Sequence, residues 1–123
     1  MSNKKYDIHE RIFKFIVGVI KFVERLPRTP TSQVIINQIL KSVTSMGAND
    51  QEADGAATNK EFVHRYSIVR KEGKETNFWL RLIGEINPGG QKRAKELQSE
   101  GKEIVAIVSK IISNASRKSA RKK

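Results

Sequence analysis

"NKEFVHRYSIVRKEGKETNFWLRLIGEI", residues 59–86, carries one apolar lane from end to end. Phe62, Tyr66, Val69, Gly73, Thr76, Leu80 and Ile83 follow one another at spacings of four and three. That rhythm is the period of an α-helix, whereas a half-buried strand alternates every second residue. No proline interrupts it. The stretch therefore predicts one long amphipathic helix, and such a helix must bury its stripe against other elements.

Three further stretches keep the same rhythm. Ile12, Ile16, Val19, Val23 and Leu26 mark a helix over about 7–26. Ile36, Leu40, Val43 and Gly47, flanked by Ile35, Ile39 and Met46, mark one over about 31–53. Leu97, Gly101, Ile104, Val108, Ile111 and Ala115 mark the last, over about 91–115. The breaks between them are PRTPT (27–31), DGAAT (54–58) and NPGG (87–90), each built from turn formers. No stretch sustains a period of two. The expected fold class is all-α, an up-down antiparallel four-helix bundle. The bundle domain is expected over 1–116, and the segment 117–123, RKSARKK, as a basic disordered tail. Gly47, Gly73 and Gly101 fall on core lanes, where each costs up to about 1 kcal/mol of helix propensity. Either close helix approach or a tolerant position accounts for them.

Helix one has more apolar surface than a single core requires. Phe13, Val17 and Ile20 form a second lane, and Phe15 and Phe22 a third. A helix apolar on several sides is usually covered on several sides. An oligomer is expected, with helix one and Trp79 at the contact.

The chain of 123 residues holds 24 Lys and Arg against 13 Asp and Glu, a net charge of +11. Such a field attracts polyanions, with nucleic acid the leading candidate and an anionic membrane surface the second. The longest apolar run, FIVGVI at 15–20, is far short of the roughly 20 residues of a membrane span. It is also too short for a signal peptide's apolar region. There is no cysteine, so disulfides and thiolate metal sites are excluded. A cytoplasmic location and no membrane partner are expected.

The second break, ANDQEADGAATNKE at 48–61, approaches the calcium-loop pattern D-x-[DN]-x-[DN]-G-x5-E, with Asp50 first and Glu61 last. Glu52 stands where a shorter Asp or Asn belongs, Ala57 where a larger aliphatic is usual, and no second copy exists. A simpler reading ends helix two at Gly55 and starts helix three with a capping box of Thr58 and Glu61. Asn49 and Glu52 on helix two, with Glu72 and Glu75 on helix three, place an amide and carboxylates near the bundle interior. Ferritin-like metal sites need Glu-x-x-His on paired helices, and that pairing is absent. The expected role of Asn49, Glu52, Glu72 and Glu75 is a structural polar network satisfied by Lys71 or Arg70. No metal and no cofactor are expected.

Positive charge follows the helices. Lys60, His64, Ser67, Lys71, Lys74, Phe78 and Arg81 form a lane offset by two residues from the core lane, about 200° around the helix. Helix one carries Arg11, Lys14, Lys21 and Arg25 on one lane, and the tail adds Arg117, Lys118, Arg121, Lys122 and Lys123. These cations are the candidate nucleic-acid-binding residues. They suit phosphate contact, which gives affinity without sequence readout. Few aromatics interleave them, so little base stacking and weak sequence preference are expected. The chain shows no Gly-rich phosphate loop, nucleophile elbow or zinc pattern, and no catalytic residue stands out. A non-enzymatic role is expected.

Two segments carry a family resemblance. QILKSVTSMGANDQEA (38–53) supplies Ser42, Thr44, Ser45, Gly47, Ala48, Asn49, Glu52 and Ala53. KEFVHRYSIVRKEGKETNFWLRLI (60–83) supplies Glu61, Phe62, Lys71, Glu72, Glu75, Thr76, Trp79, Leu80 and Leu82. Together they resemble the "four helix bundle protein" family, also called the large-subunit (23S) ribosomal RNA intervening-sequence protein family. The chain departs from that pattern at Asp50, Asp54 and Gly73. The resemblance implies an up-down bundle assembling as a ring-shaped homo-oligomer, a pentamer. One branch of the family is the accessory variability protein of diversity-generating retroelements, a basic pentamer that binds nucleic acid beside a reverse transcriptase. The resemblance thus implies an oligomeric scaffold for RNA or DNA with a reverse transcriptase as candidate partner. The alternative is a protein-interaction scaffold that recruits an acidic partner without nucleic acid.

Overall fold

The first three helices each begin behind a residue that caps them. In a computed structural model describing residues 7–121, Asp7 accepts a hydrogen bond from the Glu10 amide at 3.1 Å, and α1 (Ile8–Glu24) starts behind it. Thr29 and Ser32 exchange side-chain and backbone bonds of 2.9 and 3.0 Å. Pro30, whose missing N–H costs nothing in a first turn, opens α2 (Pro30–Asp54). Thr58 accepts from the Glu61 amide at 3.1 Å and starts α3 (Asn59–Ile86). A single 3-10 turn, Pro88–Gly90, leads directly into α4 (Gln91–Arg121). The described residues contain these four α-helices and no strand. None of the helices is long and apolar enough to cross a membrane.

The boundaries of α3 coincide with those its lane predicts. That of α4 does not, because the helix continues through Arg121 where a disordered tail was expected from residue 117. Packing and local bonds explain the extension. Asn59 at the start of α3 donates to the Ala115 carbonyl at 2.8 Å and also bonds the Ser119 hydroxyl. Arg117 reaches back to Asn114 and Ser113. Ala, Lys and Arg are strong helix formers, so once the last turn is tied down their charge does not unwind it. Lys122 and Lys123 lie outside the described residues.

Up-down connectivity places α1 between α2 and α4 and diagonally across the core from α3. The contacts differ in kind. Along α3 and α4 they are close: a methyl added at Gly84 would stand 2.7 Å from Ala94 Cβ, and one at Gly73 2.9 Å from Val105 Cγ2. Close approach is therefore what Gly73 provides. Along α1 the contacts are made by large side chains, with Ile12, Phe15, Val19, Phe22 and Val23 all buried. Phe15 and Phe22 thus belong to the core rather than to a lane left outside it. Phe13 stays 62% exposed, with Val17 and Ile20 half-buried behind it. Phe78 is also exposed and meets half-buried Trp79 edge-on at 5.0 Å.

Candidate nucleic-acid interface

The interior carries a charge at one end. Asp50 follows Val43 and Met46 at spacings of seven and four on the core face of α2, and is 2% exposed. A carboxylate this deep must be satisfied. The Tyr66 hydroxyl donates to its Oδ1 at 2.8 Å. His9 Nδ1 lies 2.9 and 3.0 Å from its two oxygens and donates to them, while Nε2 lies 3.6 Å from Asp54 on the surface. Burial pushes the Tyr66 hydroxyl well above its usual pKa, and the bond to Asp50 adds to this. Burial opposes charging of His9. The Asp50 hydrogen bond and the charges of Asp50, Asp54 and Asp7 outweigh that and raise its pKa.

This triad stands where a network of Asn49, Glu52, Glu72 and Glu75 was expected. Glu52 and Glu75 are exposed and Glu72 is half-buried. Glu52 lies two residues past Asp50, about 200° around α2, so it points away from the core. It makes only a loose pair with Arg65 at 3.7 Å. Asn49 alone takes part in a half-buried link, donating to the Ser45 carbonyl at 3.0 Å and accepting from Arg65 at 3.2 Å. Lys71 is exposed and serves the basic lane. In the 48–61 stretch, α2 runs on through Asp54 with Asp50 turned into the core. Among the described residues no three His, Asp or Glu gather to hold a metal. Glu61 and His64, the chain's one Glu-x-x-His, are both exposed on α3.

The basic lanes fall on the surface. Lys60, Lys71, Lys74 and Arg81 are exposed along α3, and Lys14, Lys21 and Arg25 along α1. Arg11 differs. Its Nη2 lies 2.6 Å from Glu100 and 3.0 Å from Glu103, and its Nε donates to Glu100 at 3.1 Å. The Glu100 bond raises its pKa further still. Arg11 is therefore committed to joining α1 to α4. Arg117 and Lys118 are exposed on the last turns of α4, and Arg121 closes that helix.

Because α1 and α3 are diagonal, their lanes cannot merge directly. Helix α4 lies between them and supplies cations to both seams. Arg93 joins Lys21 and Arg25 around a cleft of about 650 Å³ between α1 and α4. Lys95 and Lys102 join Arg81 around a smaller one of about 240 Å³ between α3 and α4, beside Glu85. Among the described residues neither Lys21 nor Arg25 has a carboxylate partner, and neither do Arg81, Lys95 and Lys102. Sequence reading missed the contribution of α4, because its Lys and Arg are interleaved with Glu96, Glu100 and Glu103 and form no single lane.

A family profile described as 23S rRNA-intervening sequence protein matches residues 4–110. Comparison with curated proteins finds no match. Among solved structures, the chain is similar to a protein of unknown function from the S23 ribosomal protein family of Bacteroides thetaiotaomicron. The two share 27% identity and a TM-score of 0.78, over 86% of this chain and 95% of that one.

Proposed function

The chain belongs to the 23S rRNA-intervening sequence protein family, and we propose that it acts without catalysis, as a basic scaffold that holds nucleic acid by its phosphates. The observation that carries this reading is the gathering of cations along both seams of α4, all but Arg93 without a carboxylate partner among the described residues. Lys21, Arg25 and Arg93 stand on one side, and Arg81, Lys95 and Lys102 on the other. Cations left without carboxylates can exchange their counterions for phosphates, and release of condensed cations from the nucleic acid then drives binding. The +11 charge steers the encounter. Phosphate contacts set position but carry no base sequence, so binding is indifferent to sequence.

The scaffold is a homo-oligomeric ring in this proposal, as the family resemblance implies. Exposed Phe13 on α1 and Phe78 on α3 lie on opposite sides of the bundle and suit a head-to-tail contact that repeats around a ring. A light-scattering mass of 13.9 kDa at working concentration would rule out this part. A reverse transcriptase is the partner to test by co-purification. The deciding experiment is binding of single-stranded and duplex RNA and DNA across a salt series. Affinity should fall steeply with salt, and Arg81→Glu with Lys95→Glu should weaken every nucleic acid alike. No binding at the lowest salt would end the nucleic-acid reading and leave an acidic protein as the partner to seek.

A further inference from the structure

The larger cleft is more than a patch of charge. It opens where the α1–α2 loop meets the turn into α4, and part of its lining is apolar. Pro27 and Pro88 are exposed within it, with the edges of Phe22 and Leu26 below. Those two side chains pack against the Gly90 backbone, where a Cβ would stand 3.2 Å from Phe22 and 3.3 Å from Leu26. Lys21, Arg25 and Arg93 line the same cleft. Arg93 lies over Gly18, 3.3 Å from where a Cβ would sit. Its one ion pair, to Glu96 at 3.1 Å, is between half-exposed groups three residues apart on α4. Such a pair contributes little and can be redirected. Among the described residues no carboxylate lines the cleft.

A cleft lined by both apolar surface and three cations fits a ligand with a flat, weakly polar body and an anionic end. The volume falls in the range of about 300–1,000 Å³ used for small organic ligands, far more than inorganic phosphate alone needs. Resting on the scaffold reading above, we propose that this cleft seats one unpaired nucleotide of a single strand. Its base packs on Pro27, Pro88 and the Phe22 edge, and its phosphate lies among Lys21, Arg25 and Arg93. Sugar–phosphate contacts elsewhere on the surface hold the strand, and this cleft holds one base. Single strands, whose bases are free to leave a stack, are then favoured over duplexes.

The test uses the full chain and 2-aminopurine riboside 5′-monophosphate, whose fluorescence is quenched when its base packs. Binding should be saturable. It should weaken about tenfold in the Lys21→Gln, Arg25→Gln double variant, and again in Gly89→Leu. Gly89 lines the cleft, its φ is not positive and an added Cβ there meets nothing within 4 Å, so the backbone accepts the leucine. Circular dichroism of both variants should match the parent. In parallel, a single strand of about 16 nucleotides is titrated across salt. If the strand binds with a steep salt dependence while the monophosphate does not, the cleft assignment falls and the scaffold reading survives. If inorganic phosphate competes as well as the monophosphate does, the base seat is overturned. If neither nucleotide nor strand binds, both readings fall together.

Discussion

The two ends of the bundle handle charge in opposite ways. At the end formed by the start of α1 and the α2–α3 joint, a carboxylate is buried and bonded on two sides, by Tyr66 at 2.8 Å and His9 at 2.9 Å. At the other end, between the α1–α2 loop and the Pro88–Gly90 turn, three cations surround an open cleft, and two of them have no carboxylate partner among the described residues. A buried charge must find its hydrogen bonds within the protein, and it then ties the helices that provide them. A charge at a solvated rim ties nothing together and stays available to a ligand. The first end should therefore resist opening and the second should tolerate substitution. Substitutions at each end measure that contrast on one scale.

The largest effect belongs to Asp50. Asp50→Ala removes the acceptor shared by three helices and leaves the buried Tyr66 hydroxyl without a partner. The expected loss is about 3 kcal/mol of unfolding free energy, at the lower edge for a broken buried pair because His9 is 43% exposed. Tyr66→Phe leaves the carboxylate one bond short and should cost about 1–2 kcal/mol. Urea denaturation checks both. Losses under 0.5 kcal/mol would show that the triad does not hold this end together.

A smaller effect follows from the raised pKa of His9. The groups facing it are Asp50 and Asp54 from α2 and Asp7 from the N-cap, all acidic, with neutral Tyr66 sharing Asp50. Folding strengthens proton binding, so the charged imidazolium contributes its full stability below about pH 6.5, the ordinary histidine value. That contribution disappears as pH rises through the higher folded value. With the ring part-exposed and solvent-screened, the change should be below about 1 kcal/mol. A denaturation series from pH 5 to 9 should show the step in the parent chain and not in His9→Gln. An identical step in the variant would trace it to other groups.

Glycine 89 tests the open end in the opposite direction. Its φ is not positive and an added Cβ meets open space, so alanine fits the native backbone there. Gly89→Ala reduces the freedom of the unfolded chain and should stabilise by about 0.4–1 kcal/mol. A loss of stability would mean that the turn into α4 is under tighter constraint than its surroundings indicate.

What the sequence made legible follows from the range of the interactions involved. The lane from Phe62 to Ile83 makes α3 legible because periodicity and the Thr58 cap are local. The outward lane of Lys60, Lys71, Lys74 and Arg81 is legible for the same reason. Pairing is not. Arg11 reads as a lane cation, yet its partners Glu100 and Glu103 lie on α4, brought alongside only by folding. Phe15 and Phe13 read alike as surplus, and the α1 rotation that buries one and exposes the other is set by the neighbouring helices. Asp50 was readable in part. Its spacing from Val43 and Met46 puts it on the core face, but resemblance to a calcium loop drew attention to its charge instead of its position. Glutamates one turn apart read as the polar network, whereas the buried member is the shorter Asp. A short side chain keeps its carboxylate close to its own helix, within reach of Tyr66.

The smallest stability effect is expected where the functional effect is largest. Lys21→Gln with Arg25→Gln removes two exposed cations that no carboxylate neutralises among the described residues. Neither packs in the core, and both glutamines keep most of the aliphatic stem. The unfolding free energy should therefore change by less than about 0.5 kcal/mol. It should rise if it moves at all, because the chain loses two of its eleven net charges and some self-repulsion with them. Nucleic-acid affinity should respond quite differently. Each lysine or arginine withdrawn from a phosphate lowers the slope of log affinity against log salt by roughly one, so the pair should lower it by about two. Asp50→Ala, assayed where it is still folded, should leave that slope unchanged. If both variants shift the slope equally, the ends are coupled and the contrast between a structural and a binding end fails. If the double variant unfolds the chain, Lys21 and Arg25 hold the fold together, and the cleft is a joint between helices instead of a site.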